Sequence, residues 1–206
     1  MNPTPLSKYL KDLGACDPAL AWTTYGLWIT ARDLWAQCHR ADWMLWLACR
    51  VVVEPKLVTK TLLLLARRCV PELAEGHRAI AKTIIGLVRQ SRGDLLPGAC
   101  LSMAHRCAEE LVSKSAGAPR ASCAAEALRR VVVHAWQAES KHFVDTKGED
   151  PLLEMWTLLN MAQRVVASAT GAIGTSRAKY AGAAVRKLIP WSAVAPLLPA
   201  HIRGGQ

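Results

Sequence analysis

The sequence has one Phe and three Tyr in 206 residues, so Trp, present eight times, carries the aromatic content. It has no Cys-x-x-Cys pair among its seven cysteines, and seven is an odd number. Structural zinc sites ordinarily take their ligands in close pairs, so a zinc ribbon or finger is excluded. A disulfide framework is equally out of keeping with an odd, scattered set. The opening Met1-Asn2-Pro3-Thr4-Pro5 lacks the basic and apolar regions of a secretory signal, and free thiols are expected in a reducing, cytoplasmic compartment. Apolar runs such as Leu62 to Ala66 fall far short of the ~18–20 residues of a membrane span, so no membrane partner is expected. After Glu154 there is no acidic residue at all.

What is present is basic charge, unevenly distributed. The net charge is +10. Residues 1–54 carry five basic and five acidic groups. Residues 55–92 carry eight basic groups against Glu72 and Glu75, and residues 93–154 carry seven basic against nine acidic. Residues 155–206 carry Arg164, Arg177, Lys179, Arg186, Lys187 and Arg203 unopposed. If the fold joins the two basic segments, they form one patch suited to an anionic partner.

Helix signals recur along the chain and strand signals do not. Pro5, Asp17-Pro18, Thr30, Pro55, Pro97 and Pro151 stand where helices open, because Pro fits the first turn and Asp or Thr caps it. The pattern predicts helices over 5–14, 17–25, 30–38, 40–53, 55–70, 77–90, 97–115, 121–143, 151–169, 176–188 and 191–198. Val51-Val52-Val53 and Val131-Val132-Val133 read as parts of helices. The expected fold is all-α: one compact domain over 1–206, a bundle of about eight to ten helices in stacked antiparallel pairs, with no sheet. Its parts are Trp-rich helices 17–53, basic helices 55–92, Ala-rich helices 97–143, an exposed loop 145–150 and basic helices 151–198.

Trp22, Trp28, Trp35, Trp43 and Trp46 crowd the N-terminal part. On one helix Trp43, Trp46, Leu47 and Arg50 share a face, and most of the remaining positions are apolar too. A helix that is apolar nearly all round is central to a fold, so Trp43 and Trp46 are expected in the core. The segment is charge-neutral, unlike a base-stacking surface interleaved with cations.

Other chemistry is sparse. His105 and Glu109, and Glu139 and His142, stand at helical spacings that bring side chains together, as surface helices often do. Cys100 and Cys107 lie seven residues apart with His105 between. Gly171-Ala-Ile-Gly174-Thr175-Ser176 lacks the phosphate-loop spacing and reads as a helix break or a close helix contact. No hydrolase, kinase or metalloprotease motif is present. The expectation is a protein that is not an enzyme and takes no cofactor and no metal.

Function therefore falls to the basic segments. Arg78, Lys82 and Arg89 recur at i, i+4 and i+11 on one helix face. Arg67 and Arg68 precede them, and Arg186 and Lys187 form a second cluster. These seven are the expected partner-binding residues. Some could turn inward, with Asp42 or Glu72 as the pairing acids. An acidic protein surface is the expected partner, and nucleic acid bound by the same patch is the alternative.

Three pieces also resemble a known family. They are Asp42-Trp43-Met44-Leu45-Trp46-Leu47-Ala48 after Trp35 and Cys38, then Ala66-Arg67-Arg68-Cys69-Val70-Pro71 with Arg78-Ala79, then Val185-Arg186-Lys187-Leu188-Ile189-Pro190-Trp191. Their order resembles a family of small bacterial and phage immunity proteins of toxin–immunity systems. The likeness runs over roughly residues 16–198, though residues 93–150 share only Ala-rich helical character. It implies an all-helical cytoplasmic inhibitor, of immunity or phage counter-defence type, that occludes a target protein. It transfers no catalytic residue. Many immunity proteins are acidic and cap basic nucleases; this chain is basic, which suits an acidic target.

Overall fold

The computed structural model describes residues 4–25, 30–91, 97–143, 151–174 and 181–203, without the side chains of 97, 140–143 and 151–159. These residues form twelve α-helices and two short 3-10 turns, with no strand among them. In chain order the helices are α1 (Pro5–Asp12), α2 (Asp17–Tyr25), α3 (Ala31–Gln37), α4 (Ala41–Arg50), α5 (Pro55–Cys69) and α6 (Glu75–Gln90). They continue with α7 (Pro97–Lys114), α8 (Pro119–Phe143), α9 (Pro151–Ile173), α10 (Ala181–Leu188), α11 (Trp191–Val194) and α12 (Ala200–Arg203). The all-α bundle expected from the sequence is the fold observed.

The hub is α8. It packs most extensively on α9 and also receives α5, α6 and α7. Its buried residues explain why. Ala121, Ala124, Ala125, Ala127 and Ala135 present almost no side chain, so neighbouring helices approach on several sides, and Leu128, Val131 and Val132 fill the space between. Gly171 of α9 serves the same contact, since a Cβ there would sit 3.0 Å from the Cys123 sulfur. The close-contact reading of this glycine holds, and Gly174, at φ +80°, follows the end of α9 at Ile173.

Around this hub, α4 and α5 pack on α9, and α10 lies against both α4 and α5. The N-terminal helices are tied to the chain's other end: α1 contacts α2 and α12, and α3 contacts α11 and α12. The capping signals act as read. Thr30 accepts the Asp33 amide at 3.1 Å and donates to its carboxylate at 2.7 Å, closing the start of α3. Thr4 accepts the Ser7 amide at 3.1 Å at the start of α1.

Several boundaries depart from expectation: α6 and α8 each begin two residues early, at Glu75 and Pro119, and α9 continues through Gly171 to Ile173 rather than stopping at 169. Helix α4 stops at Arg50 rather than Val53, because Val52 turns into the left-handed region at φ 61°. The amides of Val52 and Val53 then bond back to the Cys49 and Ala48 carbonyls, a C-terminal cap that usually employs Gly. The expected helix 191–198 is a single α-turn, α11, followed by a 3-10 turn Ala195–Leu197, and α12 lies beyond it. Val131-Val132-Val133 is helical, as expected. The loop 145–150 and the start of the helix expected at 176 lie outside the described residues.

No helix among the described residues is long and apolar enough to cross a membrane.

Candidate partner-binding surface

Helix α5 is the clearest case of a helix divided by chemistry. Its buried side holds Val58, Thr59, Thr61, Leu62, Leu63, Leu65, Ala66 and Cys69. Its exposed residues are Lys56, Lys60, Arg67 and Arg68, so every exposed position on the helix is basic. Lys56, Lys60 and Arg67 stand at i, i+4 and i+11, a stripe roughly 16 Å long at 1.5 Å per residue. Arg67 and Arg68 also lie in the last turn, where cations favour the negative end of the helix dipole.

A buried hydrogen bond sets the rotation of α5 about its axis. The Thr59 hydroxyl donates its one proton to the Pro55 carbonyl at 2.9 Å. It can therefore only accept from His134 Nδ1, 3.1 Å away on α8, which assigns the imidazole proton to Nδ1. Thr59 held against the hub places Lys60, the next residue, on the open side.

Helix α6 carries cations among a more mixed exposed set. Arg78, Lys82 and Arg89 are all exposed along one side, as their spacing indicated. Arg78 is nonetheless engaged: its Nε donates to the Leu73 carbonyl at 3.0 Å and its Nη2 to the Pro71 carbonyl at 2.9 Å. It caps the turn before α6, which removes it from the set of cations open to a partner.

The second basic cluster divides in the same way. Lys187 of α10 is exposed, whereas Arg186 is half-buried and donates through Nη1 to the Cys38 carbonyl. The neighbouring Gly182 fits against the same linker so closely that a Cβ would meet the His39 carbonyl at 2.7 Å and that of Cys38 at 2.8 Å. Arg186 and Gly182 together dock α10 on the α3–α4 linker. The two basic segments do meet, through the contact of α10 with α5.

The two acids expected to pair with these arginines also meet other cations. Asp42 accepts from Arg40 at 2.9 and 2.6 Å, in a pair that is substantially exposed. Glu72 lies 3.7 Å from Arg120. Arg67 and Arg68 remain on the surface, while Arg78 and Arg186 bind backbone carbonyls instead. Lys56 and Lys60 were missed in the sequence reading, although their spacing to Arg67 equals that of Arg78 and Lys82 to Arg89.

The remaining candidates are surface groups. His105 Nε2 lies 3.8 Å from Glu109, which Arg129 also contacts at 3.3 Å. Arg129 forks onto Glu126 at 2.7 and 2.8 Å, and this bonding holds the Glu126 carboxyl below the usual range. The Glu139–His142 pair lies outside the described side chains. Among the described residues no group of three His, Cys, Asp or Glu side chains is placed to hold a metal ion. Burial pushes the Cys38 thiol up to about 11 and those of Cys49 and Cys69 up to about 12, so they stay protonated and unreactive.

The tryptophans require a correction. Trp35 is in the core, at 2% exposure, but Trp43 and Trp46 are half-buried. Met44, Leu45, Leu47, Ala48 and Cys49 take the buried positions of α4 instead. Trp22, Trp35, Trp43 and Trp46 line a half-open apolar cleft between α2, α3 and α4, with a cavity of about 30 Å³. The Trp22 and Trp43 rings pack at 5.7 Å, tilted by 55°. The Arg40 guanidinium lies 4.5 Å over Trp43, and that of Arg50 lies 6.0 Å over Trp46.

No family model, curated protein or solved structure matches this chain.

Proposed function

We propose that the protein works without catalysis, by seating an acidic protein surface on a basic helical face and thereby occluding that partner. The observation that carries this reading is α5, whose exposed residues Lys56, Lys60, Arg67 and Arg68 are all basic. Lys187 on α10, which packs on α5, and Lys82 and Arg89 on α6 are further exposed cations. Such a field raises the rate of encounter with an acidic surface and rejects basic ones. The sequence likeness to immunity proteins supports the same mode, with a toxin or a defence component as the target inside a bacterial cell.

The test compares the wild type with the triple variant Lys56→Glu, Lys60→Glu, Arg67→Glu as immobilised baits for a nuclease-treated extract of the source cell. The expected result is one discrete protein retained by the wild type, lost on the triple variant, and inhibited by the wild type in its own assay. Recovery of nucleic acid alone, falling steeply between about 50 and 200 mM salt, would overturn the reading in favour of nucleic-acid binding.

A further inference from the structure

Val52 combines two features that folding alone does not account for. It is the one non-glycine among the described residues with a positive φ, at 61°, and it is 65% exposed. The left-handed conformation favours Gly or Asn, and a β-branched residue is poorly suited to it. Burial offers no compensation, since the isopropyl group stands in solvent. Backbone and packing both argue against valine here, and strain held at a surface residue points to a role in binding.

The turn holds that side chain firmly. The amides of Val52 and Val53 bond back to the Cys49 and Ala48 carbonyls at 3.1 and 2.9 Å, and Val51 and Val53 on either side are buried. An apolar group presented on a fixed backbone loses little freedom when a partner covers it. Val52 also lies four residues before Lys56, hence at most about 14 Å from it. With the roughly 16 Å cation stripe of α5, the span is about 30 Å. A standard protein interface takes about 800 Å² from each side, a patch roughly 30 Å across, so one partner can cover both. Exposed Glu54 lies between Val52 and the stripe in sequence. The order along the chain is therefore apolar, acidic, then basic. Nucleic acid suits this order poorly: Glu54 repels phosphate, and bases stack on aromatic rings rather than on valine.

We propose that Val52 is the apolar anchor of the partner-binding surface, filling a socket in the partner next to an acidic strip that lies along Lys60 and Arg67. This rests on the binding role proposed above and names the form of the partner's surface.

The test uses random peptides displayed on phage and selected on the immobilised full-length protein at physiological salt. Enriched peptides are synthesised and their binding is measured by fluorescence anisotropy. The expected peptides carry an acidic run with an apolar residue outside it. Val52→Gly and Val52→Thr should each weaken their binding roughly tenfold or more, the loss of one buried aliphatic contact. Val52→Ile, which keeps the apolar branch, should bind as the wild type does. Misfolding would not explain the loss, because Val52→Gly should also raise the urea midpoint: the same variant is more stable and binds worse. Unchanged binding by Val52→Gly and Val52→Thr would overturn the proposal, and so would an equal loss in Val52→Ile. The triple variant of α5 separates the two readings. Peptides that lose affinity for the triple variant but not for the Val52 variants sink the anchor alone. Peptides that lose affinity for Val52→Gly and Val52→Thr but not for the triple variant sink the basic face and leave Val52 standing. No enriched peptide, or tighter binding of oligothymidylate than of any peptide, would overturn both.

Discussion

The cation face of α5 and the tryptophan cleft of α2–α4 are built on opposite terms. On α5 the inner side packs on the hub, while the exposed residues of the outer side are all basic. In the cleft, structure and surface are the same residues: Trp35 belongs to the core, and Trp22, Trp43 and Trp46 are half in it. The contrast teaches that these two surfaces will not respond alike to mutation. One can be altered without touching the fold, while the other cannot be altered without touching both.

Mutations sharpen this contrast, and the largest effect belongs to the cleft. Trp35→Ala removes a buried indole and should lower the unfolding free energy by about 3–5 kcal/mol in urea denaturation. A cost under about 1 kcal/mol would mean that the cleft is not continuous with the core. Gly182→Ala comes next. Its Cβ would press on the carbonyls of Cys38 and His39, so a loss of about 1–3 kcal/mol is expected. A neutral outcome would show that α10 is not fastened to the α3–α4 linker. Val52→Gly should act in the opposite direction, raising stability by about 1 kcal/mol as left-handed strain is relieved. Chemical denaturation at a single pH suffices to see it. Smallest of all should be Lys56→Ala, Lys60→Ala and Arg67→Ala, each within about 0.5 kcal/mol of the wild type. A larger loss at any of the three would mean that the basic face stabilises the fold, which would undo the distinction.

Much of the fold was legible because its punctuation is explicit. Proline stands at the first position of α1, α5, α7 and α9, and Thr30 caps α3 as read. The end of α4 was not legible, since neither Gly nor Pro marks it and the left-handed residue is a valine. The cleft was misread for a physical reason. Periodicity gave Trp43 and Trp46 a common face, but on a helix that is apolar on every side it does not say which side faces inward. The cation stripe on α6 was visible from spacing alone. The diversion of Arg186 was not, because its acceptor is a backbone carbonyl 148 residues away. Arg78 was lost to carbonyls of a turn whose shape only the folded chain reveals.

Val52 has a consequence for how this protein would change under selection. It is 65% exposed, so its isopropyl group gains little from burial, and its backbone sits where β-branched residues are least at ease. The chain thus leaves stability unclaimed at one surface position. A library selected only for heat tolerance should converge early on glycine or asparagine at residue 52. A library selected for partner inhibition should keep valine there only if that side chain touches the partner.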